Sequence, residues 1–233
     1  MLKQGHTTAA TSMLPRDSGR FDQLVAKRRS IKRGDALFRA GDRFKFWYAV
    51  RTGSLKSTVT SPDGRVQVTG FYVPGDLVGW DGIHSGRHWF DMVALEDTEV
   101  RVLPYAQLKN AASLLPALGT DLDKTMSREI VRDHEMMLLL GSMRADERLA
   151  AFLLNLAQRL RAGGRGDGTF ALHMTRREIG SFLGLKLETV SRGFSRFARD
   201  GLIELNYRHV QIINLPGLRR VLMGGIGTLG VAA

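Results

Sequence analysis

The sequence contains no cysteine. Disulfide bonds, thiol nucleophiles, zinc sites with cysteine ligands and cysteine-held iron–sulfur clusters are therefore excluded. Long apolar runs are also missing, since no stretch reaches the ~18 apolar residues that a membrane-spanning helix needs. Residues 1–20 lack the apolar core of a secretory signal peptide. We therefore expect a cytoplasmic protein that does not associate with membranes.

Acidic residues are fewer than basic ones, since 23 Asp and Glu against 34 Lys and Arg give a formal net charge of +11. The excess is uneven: residues 142–233 hold 14 basic and 7 acidic side chains, and residues 1–141 hold 20 and 16. A basic segment suits a polyanionic partner, of which nucleic acid is the usual one and a membrane surface the second. The apolar fraction of 43% is typical of a folded globular protein.

Short runs rich in β-branched and aromatic residues fill the first half of the chain, and turn signals recur between them every ~8–12 residues. The runs are FWYAV (46–50), SLKSTVT (54–60), VQVTGFYV (66–73) and EVRVLP (99–104). Their spacing predicts a β-roll over residues 21–115, with a hairpin turn at SPDGR (61–65). Residues 1–20 are polar and without periodicity, which predicts a flexible arm.

After Pro116 the apolar residues recur at helical spacing and predict one long helix over residues 116–141. Leu118 begins the apolar stripe, and Asp133 interrupts it. A helix of this length exceeds what a small β-roll covers, so we expect the stripe to join two copies of the chain. The alternative is that the stripe packs on the chain's own β-roll. The expected homodimer contacts are Leu122, Met126, Ile130, Asp133, Met137 and Leu140.

Two short helices separated by a glycine follow in the basic segment, residues 142–233. Thr175 and Glu178 have the spacing of a capping box, and Gly184 ends the first helix. The second helix is expected at about residues 187–199. Two helices joined by a short turn indicate a helix-turn-helix, the motif with which many proteins read DNA. The alternating segment GLIELNYRHVQIINL (201–215) predicts a hairpin that makes the motif winged.

The second helix separates its apolar side chains from its polar ones. Val190, Phe194 and Phe197 share one face at 3.6 residues per turn, and the polar side chains lie opposite. Arg donates to guanine, Glu accepts from cytosine, and Ser contacts either kind of base edge. The expected base-reading residues are Glu188, Ser191 and Arg192. The expected phosphate contacts are Thr175, Arg176, Lys186, Thr189, Arg196, Arg199 and Arg208.

Four stretches of this sequence resemble the CRP/FNR family of bacterial transcription regulators. They are VTGFYVPGDLVGWDGI (68–83), ALEDTEVRVLPY (94–105), ADERLAAFLLNL (145–156) and MTRREIGSFLGLKLETVSRGFSRFARDGLIE (174–204). The resemblance implies an α+β chain with an N-terminal β-roll like that of cyclic-nucleotide-binding domains, a long dimerisation helix and a C-terminal winged helix-turn-helix. It also implies double-stranded DNA and RNA polymerase as partners, with polymerase contacts at Asp81, Gly82, Ser85 and Gly86.

The motif E-T-V-S-R (188–192) resembles the FNR branch in particular, because Leu187 stands where the cyclic-AMP-receptor branch has Arg. FNR-like TTGAT half-sites are therefore implied. Two departures concern the signal. Arg101 occupies the place of the β-roll cysteine that helps to hold the FNR cluster, and GDLVGWDGIHSGRHWF (75–90) lacks the Arg-Ser or Arg-Thr of the cyclic-nucleotide pocket. We therefore expect neither an iron–sulfur cluster nor cyclic AMP.

Three modes of regulation stay open. The regulator is either constitutive and controlled by its abundance, or gated by a small molecule in the β-roll, or gated by haem or a metal bound through His84 and His88. Solvation is the commoner role of two loop histidines, so we expect no cofactor. An enzyme of the cupin type would need a His-x-His pair, and the six histidines make none. We therefore do not expect catalysis.

Overall fold

The computed structural model describes residues 27–162 and 169–224, so the expected arm at residues 1–20 lies outside the described residues. The fold is α+β, with an N-terminal β-roll, a long helix and a C-terminal winged helix-turn-helix, as predicted. In the described ranges no helix combines the length and the apolar character needed to cross a bilayer.

Two four-stranded antiparallel sheets form the β-roll. The strands are β1 (Lys27–Ile31), β2 (Ala36–Phe38), β3 (Phe46–Thr52), β4 (Leu55–Thr60), β5 (Val66–Tyr72), β6 (Leu77–Val78), β7 (Asp91–Ala94) and β8 (Thr98–Pro104). One sheet has the order β1-β8-β3-β6 and the other the order β2-β7-β4-β5. The predicted turn closes β4 onto β5, since Ser61 N donates to Arg65 O at 2.9 Å and Gly64 takes a φ of 81°.

Two helices follow the β-roll. Helix α1 (Tyr105–Leu114) lies in a segment for which the sequence predicted no helix. Helix α2 (Pro116–Ser142) has 27 residues and matches the predicted long helix within one residue at its C-terminal end. At 1.5 Å per residue it is about 40 Å long.

The C-terminal domain follows α2. Its elements are α3 (Ala145–Ala162), β9 (Thr169–Ala171), α4 (Arg176–Leu183), α5 (Leu187–Arg199), β10 (Ile203–Asn206), β11 (His209–Ile212) and α6 (Leu215–Met223). Strands β10 and β11 form the predicted hairpin, and β9 adds a third strand beside β11 that the sequence did not indicate.

Three apolar clusters hold these elements together. One lies between the two sheets of the β-roll, and another lies between the first sheet, α1 and the start of α2. The largest cluster joins the two domains, because Val68, Phe71 and Val73 pack in one core with Leu153 of α3 and Phe194 of α5. The C-terminal domain is therefore docked on the outer face of β5.

Polar contacts border this shared core. Lys56 Nζ of β4 donates to Glu178 Oε1 of α4 at 2.6 Å, and Val68 N of β5 donates to Ser181 Oγ at 2.9 Å. Burial alone would raise the pKa of Glu178, but the hydrogen bonds from Lys56 and Thr175 hold it below its ordinary value. The first helix of the helix-turn-helix is thereby fixed to the β-roll.

Candidate nucleic-acid interface

The helix-turn-helix begins at a complete capping box. Thr175 Oγ1 accepts from Glu178 N at 3.2 Å, and the Glu178 carboxylate accepts from Thr175 N at 2.6 Å. Gly184 ends α4 in the left-handed conformation with φ 64°. These contacts confirm the predicted start and end of the first helix.

Two glycines permit close packing within the motif. A Cβ on Gly180 of α4 would lie 2.6 Å from the carbonyl oxygen of Leu185 in the turn, and a Cβ on Gly193 of α5 would lie 2.7 Å from Leu149 Cδ2 of α3. Neither distance is possible for a real side chain without a shift of the backbone or of a core residue. The close approach of α4, α5 and α3 thus depends on these glycines, which the sequence analysis did not single out.

Helix α5 buries one face and exposes the other, as predicted. Val190, Phe194 and Phe197 are buried in the shared core. The polar residues at the start of the helix, Glu188, Ser191 and Arg192, are all exposed. The structure therefore brings the three expected base-reading side chains together on one accessible surface.

The seven expected phosphate contacts fall into two groups. Most of them lie at the surface or half-buried beside α5: Thr175, Lys186, Thr189, Arg199 and Arg208. Two have partners within the protein. The guanidinium carbon of Arg176 lies 3.4 Å from the centroid of the Phe194 ring, and Arg196 pairs with Asp146 of α3. Partial burial lowers the pKa of Arg176.

Strands β10 and β11 place a short turn beside α5. Asn206 pairs with His209, and Tyr207 and Arg208 form the tip. Tyr207 is 98% exposed and adopts a φ of 52°, a left-handed conformation that is strained for a residue with a side chain. The tip therefore presents an aromatic and a cationic side chain to solvent.

Lys186 is the N-cap of α5, and its side chain makes no capping hydrogen bond. We expect Lys186→Thr to raise the free energy of unfolding by about 1 kcal/mol, because threonine caps a helix and removes a cation from the positive end of its dipole. The same change should weaken DNA binding and reduce the slope of log K against log salt by about 1, because one phosphate contact is lost. Thermal unfolding and a salt titration measure the two effects. Higher stability with unchanged DNA affinity would show that Lys186 meets no phosphate.

The loop expected to contact polymerase is only partly at the surface. Asp81 Oδ1 lies 3.1 Å from His88 Nδ1, and both side chains are almost fully buried. Gly82 is buried under Phe44, whereas Ser85 and Gly86 are exposed. Asp81 and Gly82 therefore support the loop from its buried side. Of the four expected contact residues, only Ser85 and Gly86 are accessible to a partner.

His84 and His88, the two loop histidines, lie in different environments. His84 is exposed, and His88 is buried with its ring stacked on Phe38 at a centroid distance of 3.7 Å. Within residues 27–162 and 169–224, no three His, Cys, Asp or Glu side chains come together as a metal-binding group.

Helix α2 presents its expected dimer residues to two different surroundings. Leu122 and Met126 are half-buried against the cluster of Trp47 and Leu118, so they pack on the chain's own β-roll. Ile130 and Met137 are exposed, together with residues that the sequence analysis did not name: Val131 and Leu138. Asp133 and Leu140 are exposed as well. Thus two of the six expected dimer residues pack within the chain, and the other four are accessible.

Comparison with known proteins gives the two halves of the chain a common assignment. The family model of the cyclic nucleotide-binding domain matches residues 28–113, and that of the Crp-like helix-turn-helix domain matches residues 147–221. The transcriptional regulatory protein btr of Bordetella pertussis is 44% identical over 94% of this chain and 90% of its own length. The chain belongs to the CRP/FNR family of transcription regulators.

Further relatives of this CRP/FNR regulator also match it over most of their length. The transcriptional activator protein FnrA of Stutzerimonas stutzeri is 42% identical over 89% of this chain and 85% of its own length. The solved structure of FixK2 from Bradyrhizobium japonicum has a TM-score of 0.78 and 32% identity, and the match covers 90% of this chain and 100% of that one. The proteins btr and FnrA are named as regulators of transcription, and together with the Crp-like helix-turn-helix they identify this chain as a DNA-binding regulator in place of an enzyme.

The cyclic nucleotide after which the β-roll's family is named does not fit the residues of this regulator. The space between the two sheets holds Phe38, Tyr48 and Tyr72, packed with Trp80 and Phe90. Arg87, the arginine of the following loop, points outward and donates to Gly41 O at 2.6 Å. A cyclic phosphate would need a buried arginine at this loop, and the loop supplies none.

Proposed function

We propose that this regulator binds DNA as a homodimer, at a palindrome of TTGAT-like half-sites, without a cyclic nucleotide or an iron–sulfur cluster. The observation that carries the proposal is the exposed cluster of Glu188, Ser191 and Arg192 at the start of α5. The first turns of a recognition helix are the part that reaches base edges in the major groove. Two-fold symmetry then sets the half-site centres about 34 Å apart.

Fluorescence anisotropy tests this proposal. Purified protein without added effector is titrated onto a TTGAT-N4-ATCAA duplex and onto a scrambled duplex of equal length, at one fixed physiological salt concentration. Tight binding to the first duplex alone is the expected result, and it favours a constitutive regulator controlled by its abundance. Equal and weak binding to both duplexes contradicts the half-site or the independence from a ligand.

The phosphate contacts that we propose are those with accessible cationic or hydroxyl groups around α5: Thr175, Lys186, Thr189, Arg199 and Arg208. Arg176 and Arg196 reach a phosphate only if they leave Phe194 and Asp146 respectively. We therefore propose that both arginines contact phosphates in the complex, but that each contributes less binding free energy than a cation with no partner to leave.

We place the dimer seam on the outward face of α2, at the exposed apolar residues Ile130, Val131, Met137 and Leu138, with Asp133 and Leu140 at its edges. A single chain leaves this apolar strip in water, and a second copy of the same helix would bury it. Leu122 and Met126 belong to the core of the chain's own β-roll and support the helix from behind.

We expect Met137→Glu to weaken the dimer at least tenfold, because Met137 is 66% exposed in the single chain and a two-fold axis brings two new carboxylates near each other. Sedimentation velocity over a range of protein concentrations measures the effect. Lys124→Glu, an exposed change on the same helix outside the apolar strip, is the control and should leave the dimer intact. A dimer that survives Met137→Glu would place the seam elsewhere.

For RNA polymerase we propose a contact at the exposed part of the loop, Ser85 and Gly86, held in shape by the buried Asp81–His88 pair and by Gly82. A regulator of bacterial transcription works where the chromosome and the polymerase are, so we propose the cytoplasm as its location.

A further inference from the structure

Charged side chains are buried where the β-roll, α2 and α3 meet. Asp76, in the turn after β5, is 4% exposed. Its carboxylate accepts from Val73 N at 2.7 Å and from Arg159 of α3. Arg159 Nη2 also donates to the carbonyl oxygen of Phe71 at 2.8 Å, and Arg132 Nη2 of α2 donates to the same oxygen at 3.0 Å. Three elements are thus tied at one carbonyl group, which we call the domain junction.

Glu129 of α2 is the second carboxylate of the domain junction, and it is 6% exposed. Its Oε1 lies 3.4 Å from Arg132 Nη1, a long and weak contact for a buried charge. The guanidinium of Arg132 in turn lies over the ring of Tyr72, 5.3 Å from its centroid. The shorter hydrogen bond of Arg132 goes to the Phe71 carbonyl of the β-roll. The buried charge of Glu129 is therefore less well neutralised than that of Asp76.

The charges around Glu129 come from every element of the domain junction. They are Arg132 and Asp133 of α2, Asp76 after β5, Tyr72 of β5 and Arg159 of α3. Burial raises the pKa of Glu129 to about 7; Asp76 and Asp133 act in the same direction, and the two arginines oppose it. A carboxyl with a raised pKa contributes stability that is fully present below its ordinary value and is lost as the pH rises through about 7.

We propose that Glu129 is a positioning residue through which proton concentration near neutrality controls the docking of the DNA-reading domain on the β-roll, and thereby the affinity for DNA. A protonated Glu129 stays buried at low cost and leaves the junction closed. An ionised Glu129 draws water toward the junction, where it loosens the contacts of Arg132 and Arg159 with the Phe71 carbonyl. The reading face of α5 is exposed in the closed arrangement, and we take this arrangement as the one that binds DNA.

This inference rests on the proposed DNA binding, and its test has one readout without DNA. Wild type, Glu129→Gln and the control Glu135→Gln are compared at pH 6.0, 7.0 and 8.0. Glutamine keeps the size of a protonated glutamate and cannot ionise, and Glu135 is an exposed residue of the same helix. Hydrogen exchange of residues 68–76 and 150–160, corrected for the intrinsic pH dependence, reports the closure of the junction. Anisotropy on the TTGAT duplex reports the affinity.

We expect junction protection in wild type and in Glu135→Gln to fall from pH 6.0 to 8.0, and in Glu129→Gln to stay constant. DNA affinity should fall at least threefold further in wild type than in Glu129→Gln, because every pH effect that does not involve Glu129 is common to both proteins and cancels in the comparison. Parallel profiles of wild type and Glu129→Gln overturn the proposal. The two readouts can also disagree. If junction protection depends on pH through Glu129 but the protein never prefers the TTGAT duplex, proton control of docking is supported and only the proposed half-site is contradicted.

Discussion

Replacing Arg159 by methionine is expected to lower the free energy of unfolding by about 3–5 kcal/mol, which is the usual cost of breaking a buried ion pair by removing one partner. Methionine fills much of the space of the arginine stem. It leaves the Asp76 carboxylate buried with a single backbone donor, Val73 N, and removes one of the two arginine donors of the Phe71 carbonyl. An uncompensated buried charge carries a large free-energy penalty, because neither water nor a counter-ion stabilises it.

Chemical denaturation with urea, followed by circular dichroism, measures this loss. The matched control is Arg161→Met, two residues further along α3, where the side chain is exposed. Exposed charges contribute little to stability, so the control should stay within about 0.5 kcal/mol of wild type. If the two variants lost the same stability, the Arg159–Asp76 pair would add nothing to the attachment of the domains. The double variant Arg159→Met, Asp76→Leu should recover part of the loss, because it removes both charges.

Replacing Arg192 by alanine is expected to cost about 1–3 kcal/mol of DNA binding, or roughly five- to 150-fold in affinity, and to relax specificity at one base pair. Arg192 is exposed and lies on the same face of α5 as Glu188 and Ser191, away from the buried Phe194. Its side chain does not contribute to the apolar core, so the stability of the protein should be unchanged.

A panel of duplexes with each half-site position changed in turn distinguishes the possible roles of Arg192. A base contact gives equal affinity of the variant for two or more bases at one position, while the preferences at the other positions persist. A uniform loss over the whole panel would instead identify a phosphate contact. Ser195→Ala is the comparison variant. Ser195 is also exposed on α5, but its side chain can make fewer hydrogen bonds than that of Arg192.

The helix-turn-helix was predictable because its signals are local. The capping box at Thr175 and Glu178, the left-handed Gly184 and the apolar face of α5 are each set by residues within a few positions of one another. The same is true of the hairpin between β4 and β5, where the turn sequence determines the register. Local patterns of this kind specify an element without reference to the rest of the chain.

Contacts over long sequence separations were not predictable. The stripe on α2 is continuous in the sequence, but Leu122 packs against the β-roll while Met137 stays exposed, because the helix extends beyond the sheet that covers its first half. Strand β9 pairs with β11 some forty residues later, so its own three residues carry no signal. Arg196 looks like a free cation in the sequence until Asp146, fifty residues earlier, is placed beside it.

The core shared by the β-roll and the DNA-reading domain limits how freely the two can be exchanged during evolution or in the laboratory. A chimera cut after Ser142 would join a foreign reading domain to Val68, Phe71 and Val73, whose partners are Leu153 and its neighbours on α3. The graft would then need compatible shapes at this seam and not only a compatible linker. Changes of half-site preference are therefore easier to obtain by exchanging the outward residues of α5 than by exchanging whole modules.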